Sequence, residues 1–413
     1  MQILYLIHSH PSRSIGGAEN AATAQFKEIQ THPNINTRLL SADNTNDDPA
    51  NPEAPLIRLQ SQAEFSVKTN CDPFLLLNTN AQALQRALEE LESIFKPDIV
   101  HIHHFLNFGV DSIHSIKNVW PSAKIILTLH EFLLLCHRQG QMATRPANKL
   151  CTTSTPEACN QCYPSINTNR FEQRQNTINN ALKLCDQLVS PSQFLAARFI
   201  EHGIREDQIS IIENGLPDHI TTTVAEHSTD LNRFGFFGKV TELKGVLVLL
   251  KAILRLTKQG KTDFHVDIFG GGLEAQPAEF QHRASNLLSH IPENVITLHG
   301  RYQQSDLPLL MGSVDWVIVP SIWWENSPVV IQEAFACRRP VIGSDIGGTA
   351  EKIKGLGGRC FAVADHESLA SVMAESIGDQ QGHQALQQQI PASFSASDCA
   401  RAHLDLYRSL LNP

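Results

Sequence analysis

The sequence predicts an α/β protein built from two Rossmann-like, doubly wound parallel-sheet domains. Short apolar runs alternate with amphipathic stretches from one end to the other, the signature of parallel strands wrapped by helices. At 413 residues the chain exceeds one ordinary core, which favours two domains of roughly 200 residues each. Gly, His, Lys and carboxylate residues recur immediately after the apolar runs, where open parallel sheets bind their ligands.

In the first half the strand candidates are Ile3 to Ile7, Ile99 to Ile102, Ile125 to Leu129, Gln187 to Val189 and Ile209 to Ile212. His8-Ser9-His10 follows the first of them, and then Gly16-Gly17-Ala18-Glu19 opens a helix with a turn that lets backbone approach a ligand closely. His101, His103 and His104 close the next strand, and His130-Glu131 the one after. Asp43 to Pro55, rich in Asn, Asp and Pro, reads as a surface loop. The polar, threonine-rich stretch 217–230 reads as a linker between domains spanning 1–216 and 231–395. Beyond it lie strands at Phe234 to Phe237, Phe264 to Phe269, Val295 to Leu298, Trp316 to Val319 and Val341 to Ile342, with helical patterns at Lys244 to Thr257 and Ser305 to Met311. Their ends carry Gly238-Lys239, Gly270-Gly271-Gly272, Gly300-Arg301, Pro320-Ser321 and Gly343-Ser344-Asp345. Ala400, Leu404, Tyr407 and Leu411 have helical spacing behind Ser397 as a cap, so 396–413 is a last helix able to cross back onto the first domain.

Composition narrows the partners. The formal net charge is -9 and no basic run occurs, which argues against nucleic acid. The first residues have no basic flank and too short an apolar run for a signal segment, and no stretch approaches the roughly 18 apolar residues that span a bilayer. A soluble or peripheral, cytoplasmic protein is the expectation, supported by an odd count of nine cysteines in a large chain.

The densest local signal runs from Glu325 to Glu333. Ser327 suits an N-cap and Pro328 a first helical position, so the Val329 and Val330 amides would stand unpaired at a helix start, where anions bind. Glu325 and Glu333 would flank a phosphate bound there, and charged carboxylates accept strongly from vicinal hydroxyls. A phosphate between two hydroxyl-rich groups describes a nucleotide sugar. Two solvated glutamates on an amphipathic helix are the bland alternative. Trp323 and Trp324 suit stacking on a sugar or packing within the domain.

Cys136, Cys151, Cys159 and Cys162 form a second constellation in a segment with little periodicity, 136–162. Four thiols in a coreless excursion suit a structural zinc site; packing as small hydrophobes is the alternative. A redox role for Cys159-x-x-Cys162 is disfavoured because no helix start follows it.

Taken together, Gly16-Gly17-Ala18-Glu19, Pro97 to His103, Thr128-Leu129-His130, Ser190-Pro191-Ser192, Ile212 to Gly215, Phe237-Gly238-Lys239 with Lys244-Gly245, and Glu325 through Glu333 resemble the retaining GT-B glycosyltransferases of family 4, also called group 1. The resemblance covers nearly the whole chain and implies two domains facing a cleft. It implies that Lys239 and Lys244 bind the donor diphosphate, although the family usually has Arg at the first position and Lys lacks its bidentate fork. It also implies Glu333 on the ribose, Glu325 on the donor sugar, and the Val329 and Val330 amides, with Asn326 and Ser327, by the phosphates. Gly16, Gly17 and Gly238 would line the donor site, Gly300 and Arg301 border the base, and His130 lie near the transferred sugar, its alternative being a strand-end histidine satisfied by backbone.

No Asp-x-Asp triplet occurs, so no catalytic metal is expected and the protein itself would neutralise the leaving diphosphate. The implied function is transfer of a UDP- or GDP-linked sugar to a glycan or lipid-linked acceptor in cell-surface polysaccharide or glycoconjugate synthesis, with retention by front-side displacement and possible peripheral contact with membrane. A GT-B nucleotide-sugar epimerase and a non-catalytic, zinc-stapled sugar-binding module are the competing readings. A dinucleotide oxidoreductase should show Gly-x-Gly-x-x-Gly, which neither glycine cluster fits.

Overall fold

The computed structural model describes residues 1–13, 16–43, 56–59, 61–217, 220 and 230–412. The chain divides into two compact units, Met1–Gly215 with Ala396–Pro413, and Leu216–Ser395. The expected loop lies outside the described residues except for Asp43, and so does most of the expected linker. Of the latter, Ile220 is buried together with Leu216 among Phe237, Leu307 and Ile331 of the second unit.

The first unit holds an eight-stranded sheet in the order β3-β4-β2-β1-β5-β6-β7-β8. Its strands are β1 (Gln2–Ile7), β2 (Asn36–Asp43), β3 (Leu56–Arg58), β4 (Glu64–Lys68), β5 (Ile99–Ile102), β6 (Lys124–Thr128), β7 (Gln187–Ser190) and β8 (Ile209–Ile211). All pairings are parallel except β3 with β4. The central strands β1 and β5 are apolar on both faces because helices cover both, as parallel sheets require. Helices α1 (Gly17–Gln30), α2 (Ala81–Glu92), α3 (Ser112–Val119), α4 (Pro156–Cys162), α5 (Thr168–Leu182) and α6 (Gln193–Glu201) connect the strands.

The second unit holds a six-stranded, all-parallel sheet in the order β11-β10-β9-β12-β13-β14. Its strands are β9 (Arg233–Phe237), β10 (His265–Phe269), β11 (Ile296–Gly300), β12 (Trp316–Val319), β13 (Val341–Ser344) and β14 (Gly358–Phe361). Numbered within the unit, that order is 3-2-1-4-5-6, a doubly wound sheet whose strand order reverses between β9 and β12. Ligand crevices open at such reversals. The helices are α7 (Val246–Lys258), α8 (Ala278–Leu288), α9 (Leu307–Gly312), α10 (Val329–Ala336), α11 (Gly347–Ile353), α12 (His366–Ser376) and α13 (Gln380–Gln389). The last helix, α14 (Ala396–Leu411), belongs to the first unit, where Ala400, Leu404 and Tyr407 pack on Ile3, Tyr5 and Phe26.

Two expected helix starts move. Ser397 lies inside the first turn of α14 and does not cap it. In α10 the N-cap is Pro328, one residue later than expected, because Asn326 Oδ1 accepts the Ser327 amide and holds the chain extended up to Val329. No helix among the described residues is long and apolar enough to cross a membrane.

Candidate active site

In the second unit, chemistry gathers where β9 and β12 end. Gly245 adopts a left-handed conformation with φ 75°, and a Cβ there would lie 1.7 Å from the Pro320 carbonyl oxygen. This glycine lets the loop after β9 press against the end of β12, which brings Lys244 onto the segment around Glu325. Lys244 Nζ stands 2.6 Å from Glu325 Oε1, and the same oxygen accepts Ser321 Oγ–H at 2.7 Å and Trp323 Nε1–H at 2.9 Å. Burial pushes the Glu325 carboxyl up, but the Lys244 ammonium and these donors outweigh it and hold the group below its ordinary value. It is therefore a buried, ionised, oriented carboxylate. Behind it, Gly348 N–H donates to the Glu325 carbonyl at 2.9 Å, and a Cβ at Gly348 would meet the Asn326 carbonyl oxygen at 2.0 Å.

The helix α10 begins three residues beyond Asn326, with Val329 and Val330 supplying its first amides. One turn on, Glu333 is 8% exposed and its Oε1 accepts Gln304 Nε2–H at 2.8 Å. Burial raises its carboxyl to about 7, which the Gln304 contact only partly offsets. Lys239 stands exposed after β9. A row of backbone contacts, Gly238 N–H to Phe269 carbonyl and Gly270 N–H to Gly300 carbonyl, ties the ends of β9, β10 and β11 together. Arg301 is 80% exposed and reaches Glu274 at 3.4 Å.

The first unit has its own cluster at the ends of β1, β5 and β6. His8 Nε2 lies 3.2 Å from Glu19 Oε1, and the Glu19 carboxylate folds so tightly over Gly16 that a Cβ there would meet Oε2 at 2.6 Å. Gly17 opens α1. His104 Nε2 lies 3.2 Å from Glu131 Oε1, and the His8 and His104 rings are 4.7 Å apart. His130 meets His103 through Nε2 and Nδ1 at 3.1 Å. Burial, with His104 and His8 as neighbours, lowers His130 to about 3, so it is neutral.

Comparison with known proteins gives the family. Residues 16–219 match the model described as Glycosyltransferase Family 4, and residues 232–379 the one described as Glycosyl transferases group 1. The chain belongs to the GT-B glycosyltransferases. Among solved structures, HepE from Anabaena in complex with UDP superposes with a TM-score of 0.69 at 18% identity, covering 99% of this chain and 100% of that one. Sucrose-phosphate synthase from Thermosynechococcus elongatus gives a TM-score of 0.70 at 16% identity, with full coverage of both. The lipopolysaccharide 1,2-N-acetylglucosaminetransferase of Salmonella typhimurium is 25% identical over 225 residues, 51% of this chain and 58% of that protein. The D-inositol 3-phosphate glycosyltransferase of Jonesia denitrificans is 31% identical over 162 residues, 37% and 36% of the two chains. The chain thus spans just over half the length of the first of these curated relatives and about a third of the second. These relatives are transferases and synthases, which leaves the epimerase and the non-catalytic module without support.

Within this glycosyltransferase, Lys244 is bonded to Glu325 and not held apart from it as two independent ligand contacts would be, and Asn326, Ser327, Val329 and Val330 follow Glu325 along the chain into the start of α10. Trp323 neither stacks freely nor simply packs; its N–H fixes Glu325 and the Lys244 ammonium sits 5.6 Å from its ring centre.

The four cysteines of the glycosyltransferase do line one cavity of about 250 Å³. Among the described residues, however, no three His, Cys, Asp or Glu side chains are arranged to hold a metal ion, so the expected zinc site at Cys136, Cys151, Cys159 and Cys162 is without support. Two of the thiols bond local backbone. Cys151 Sγ–H donates to the Thr153 carbonyl at 3.2 Å, and Cys162 Sγ accepts the Arg145 amide at 3.1 Å. Burial, with Cys136, Cys151 and Cys162 close by, pushes the Cys159 thiol up to about 12.

Gln304 and Gly348 escape the sequence reading, and Ser321 and His103 enter it only as strand-end residues, without their bonds to Glu325 and His130. Of the first two, only Gly348 left a local trace, in the Gly347-Gly348 pair after Asp345.

Proposed function

We propose that the protein transfers a sugar from a UDP-linked donor to a glycan or lipid-linked acceptor, with retention of configuration and without a catalytic metal, in cell-surface polysaccharide or glycoconjugate synthesis. On this reading it works in the cytoplasm, touching the membrane surface where the acceptor is lipid-linked. The observation that carries the proposal is the convergence of Lys244, Glu325 and the α10 amides at the reversal of strand order between β9 and β12. The structurally similar HepE from Anabaena is solved in complex with UDP and with UDP-glucose, in support of uridine as the base.

The chemistry follows from charge. Departure of a nucleoside diphosphate builds negative charge on its terminal phosphate, and groups aimed at that charge accelerate the step. Lys244 spends one N–H on Glu325 and keeps two for phosphate oxygens; Lys239 adds a second ammonium and the Val329 and Val330 amides a partial positive charge. Glu325, with three donors on Oε1, offers Oε2 to a hydroxyl of the donor sugar, and Glu333 grips the ribose diol. Gly238, Gly300 and Arg301 border the base, while Gly16, Gly17 and His130 serve the sugar side.

Lys239→Met is the clean test, because Lys244→Met would also strand a buried carboxylate. With UDP-glucose as the first donor tried, then a panel of UDP and GDP sugars, the parent should show a raised Tm with its own donor. Lys239→Met should lower kcat by about 100-fold to 1,000-fold with little change in donor KM, in the presence of chelator. Unchanged kcat, or strict need for magnesium or manganese, would sink the assignment of the phosphate site.

A further inference from the structure

We propose that His103 is a positioning residue that decides which nitrogen of His130 carries its proton, and so makes His130 a hydrogen-bond donor and not a base. The inference rests on the reading of His130 as the sugar-side histidine. Strands β5 and β6 are paired with Ile102 opposite Leu127, so the residues just beyond them, 103 and 130, leave the sheet side by side. His103 Nδ1 is 3.1 Å from His130 Nε2, and the two rings are stacked with centres 5.3 Å apart and planes 25° from parallel. Between two neutral imidazoles in this contact lies a single N–H. It belongs either to His103 Nδ1 or to His130 Nε2.

The surroundings of His103 decide between them. Its other nitrogen, Nε2, is buried and has no hydrogen-bond partner. The rings packed on His103 are those of His101, with its centre 4.3 Å away, and Tyr5, at 5.8 Å. His101 cannot serve it, since Tyr407 Oη occupies one His101 nitrogen at 2.6 Å and Thr128 Oγ1 the other at 2.7 Å. A proton on His103 Nε2 would be a buried N–H without an acceptor, the rarest kind of unpaired polar group. The proton therefore sits on Nδ1 and is donated to His130 Nε2. His130, neutral and with its Nε2 lone pair taken, carries its own proton on Nδ1.

No bond is made or broken by this arrangement; it fixes a tautomer. Its consequence is a division of labour. His130 supplies an N–H to a hydroxyl oxygen of the sugar and removes no proton, leaving acceptor deprotonation to the departing phosphate.

Long-range proton–nitrogen NMR on protein labelled with nitrogen-15 histidine reads the tautomer directly, with His130 assigned by its loss in His130→Gln. A protonated Nδ1 and an unprotonated Nε2 in the parent support the proposal; the reverse overturns it whatever the enzyme's substrate proves to be. In His103→Leu the His130 signals should move toward a mixture of tautomers. His103→Asn places an amide N–H where Nδ1–H was and should restore them, which a merely space-filling role would not predict. With UDP-glucose, UDP release by His103→Leu should fall about tenfold in kcat with donor KM within about twofold, and His103→Asn should recover most of it. Equal kcat in parent and His103→Leu would overturn the functional half. Absence of turnover with every donor would instead count against the glycosyl-transfer reading, while the nitrogen shifts still decide the tautomer.

Discussion

Glu333 is a carboxylate that the fold tolerates at a cost. Its ordinary value is 4.5 and burial raises it to about 7. Below the first value folded and unfolded chains are both protonated, and the group contributes nothing. Between the two the unfolded chain ionises first, so stability falls as pH rises, and above about 7 the loss is complete at roughly 3 kcal/mol. Glu333→Gln keeps an oxygen for Gln304 and removes the charge. It should therefore raise the melting temperature of the ligand-free protein at pH 8, change it little at pH 4.5, and weaken UDP binding by on the order of 1.5 to 3 kcal/mol if the carboxylate holds the ribose. Calorimetry and titration with UDP read both halves. A lower melting temperature at pH 8, or undiminished UDP affinity, would contradict this account. Stability given up at a site for the sake of a ligand is the expected sign of function.

At the scale of elements, close backbone approaches aim the side chains. The first turn of α11 lies against the residues before α10, with Gly348 as the point of contact. Gly348→Ala would drive a methyl group into the Asn326 carbonyl, so backbone must shift rather than a side chain. We expect a loss of about 1 to 3 kcal/mol and a larger fractional loss of UDP affinity, because the displaced segment carries Glu325. A variant with parental stability and affinity would show that this contact does not position the loop. Helix α14 gives a second case. Tyr407 is fully buried against the first unit's sheet, where its hydroxyl bonds His101 Nδ1 and accepts from Gln25 at 2.9 Å. Tyr407→Phe leaves buried His101 Nδ1 and Gln25 Nε2 with only their long 3.5 Å contact to each other, for an expected cost of about 1 to 3 kcal/mol by denaturant unfolding. A neutral result would mean that the histidine row is held by packing alone.

Across the whole molecule the two units should answer acid differently. In the first, burial holds His130 down to about 3 and His403 to about 4, and lowers His101 and His103 as well. Above 6.5 these rings are neutral in both folded and unfolded chains. As pH falls below that, only the unfolded chain gains protons, so stability drops, by about 2 kcal/mol each for His130 and His403 at pH 5. In the second unit the directions divide: acid relieves Glu333, and His383, held low by burial, loses stability, while Glu325, held below its ordinary 4.5, is untouched until pH falls below that. Going from pH 7.5 to pH 5 should thus lower the temperature at which peptides from 1–215 become protease-sensitive more than that for 231–395. Mass spectrometry of the fragments follows both, and the opposite ranking would refute the prediction.

The sequence by itself determined the architecture, because near-continuous apolar runs such as Trp316–Val319 can only be buried on both faces, and alternating them with amphipathic helices leaves parallel sheets as the solution. It also located the ligand end of each sheet, since glycine, lysine and histidine at strand ends are read locally. Strands that are short or flanked by polar residues were not legible: β2, β3, β4 and β14 lie toward the sheet edges, where half-exposed segments such as Leu56–Arg58 carry little apolar signal. What tertiary structure alone decided was pairing. Lys244 meets Glu325 across 81 positions, Gln304 meets Glu333 across 29, and His103 meets His130 across 27. Such partners are chosen by strand order and register, which spacing along a chain does not encode. The same reason governs the four cysteines: spacing along the chain does not say that Cys136, Cys151, Cys159 and Cys162 line one cavity, which the folded backbone between them decides.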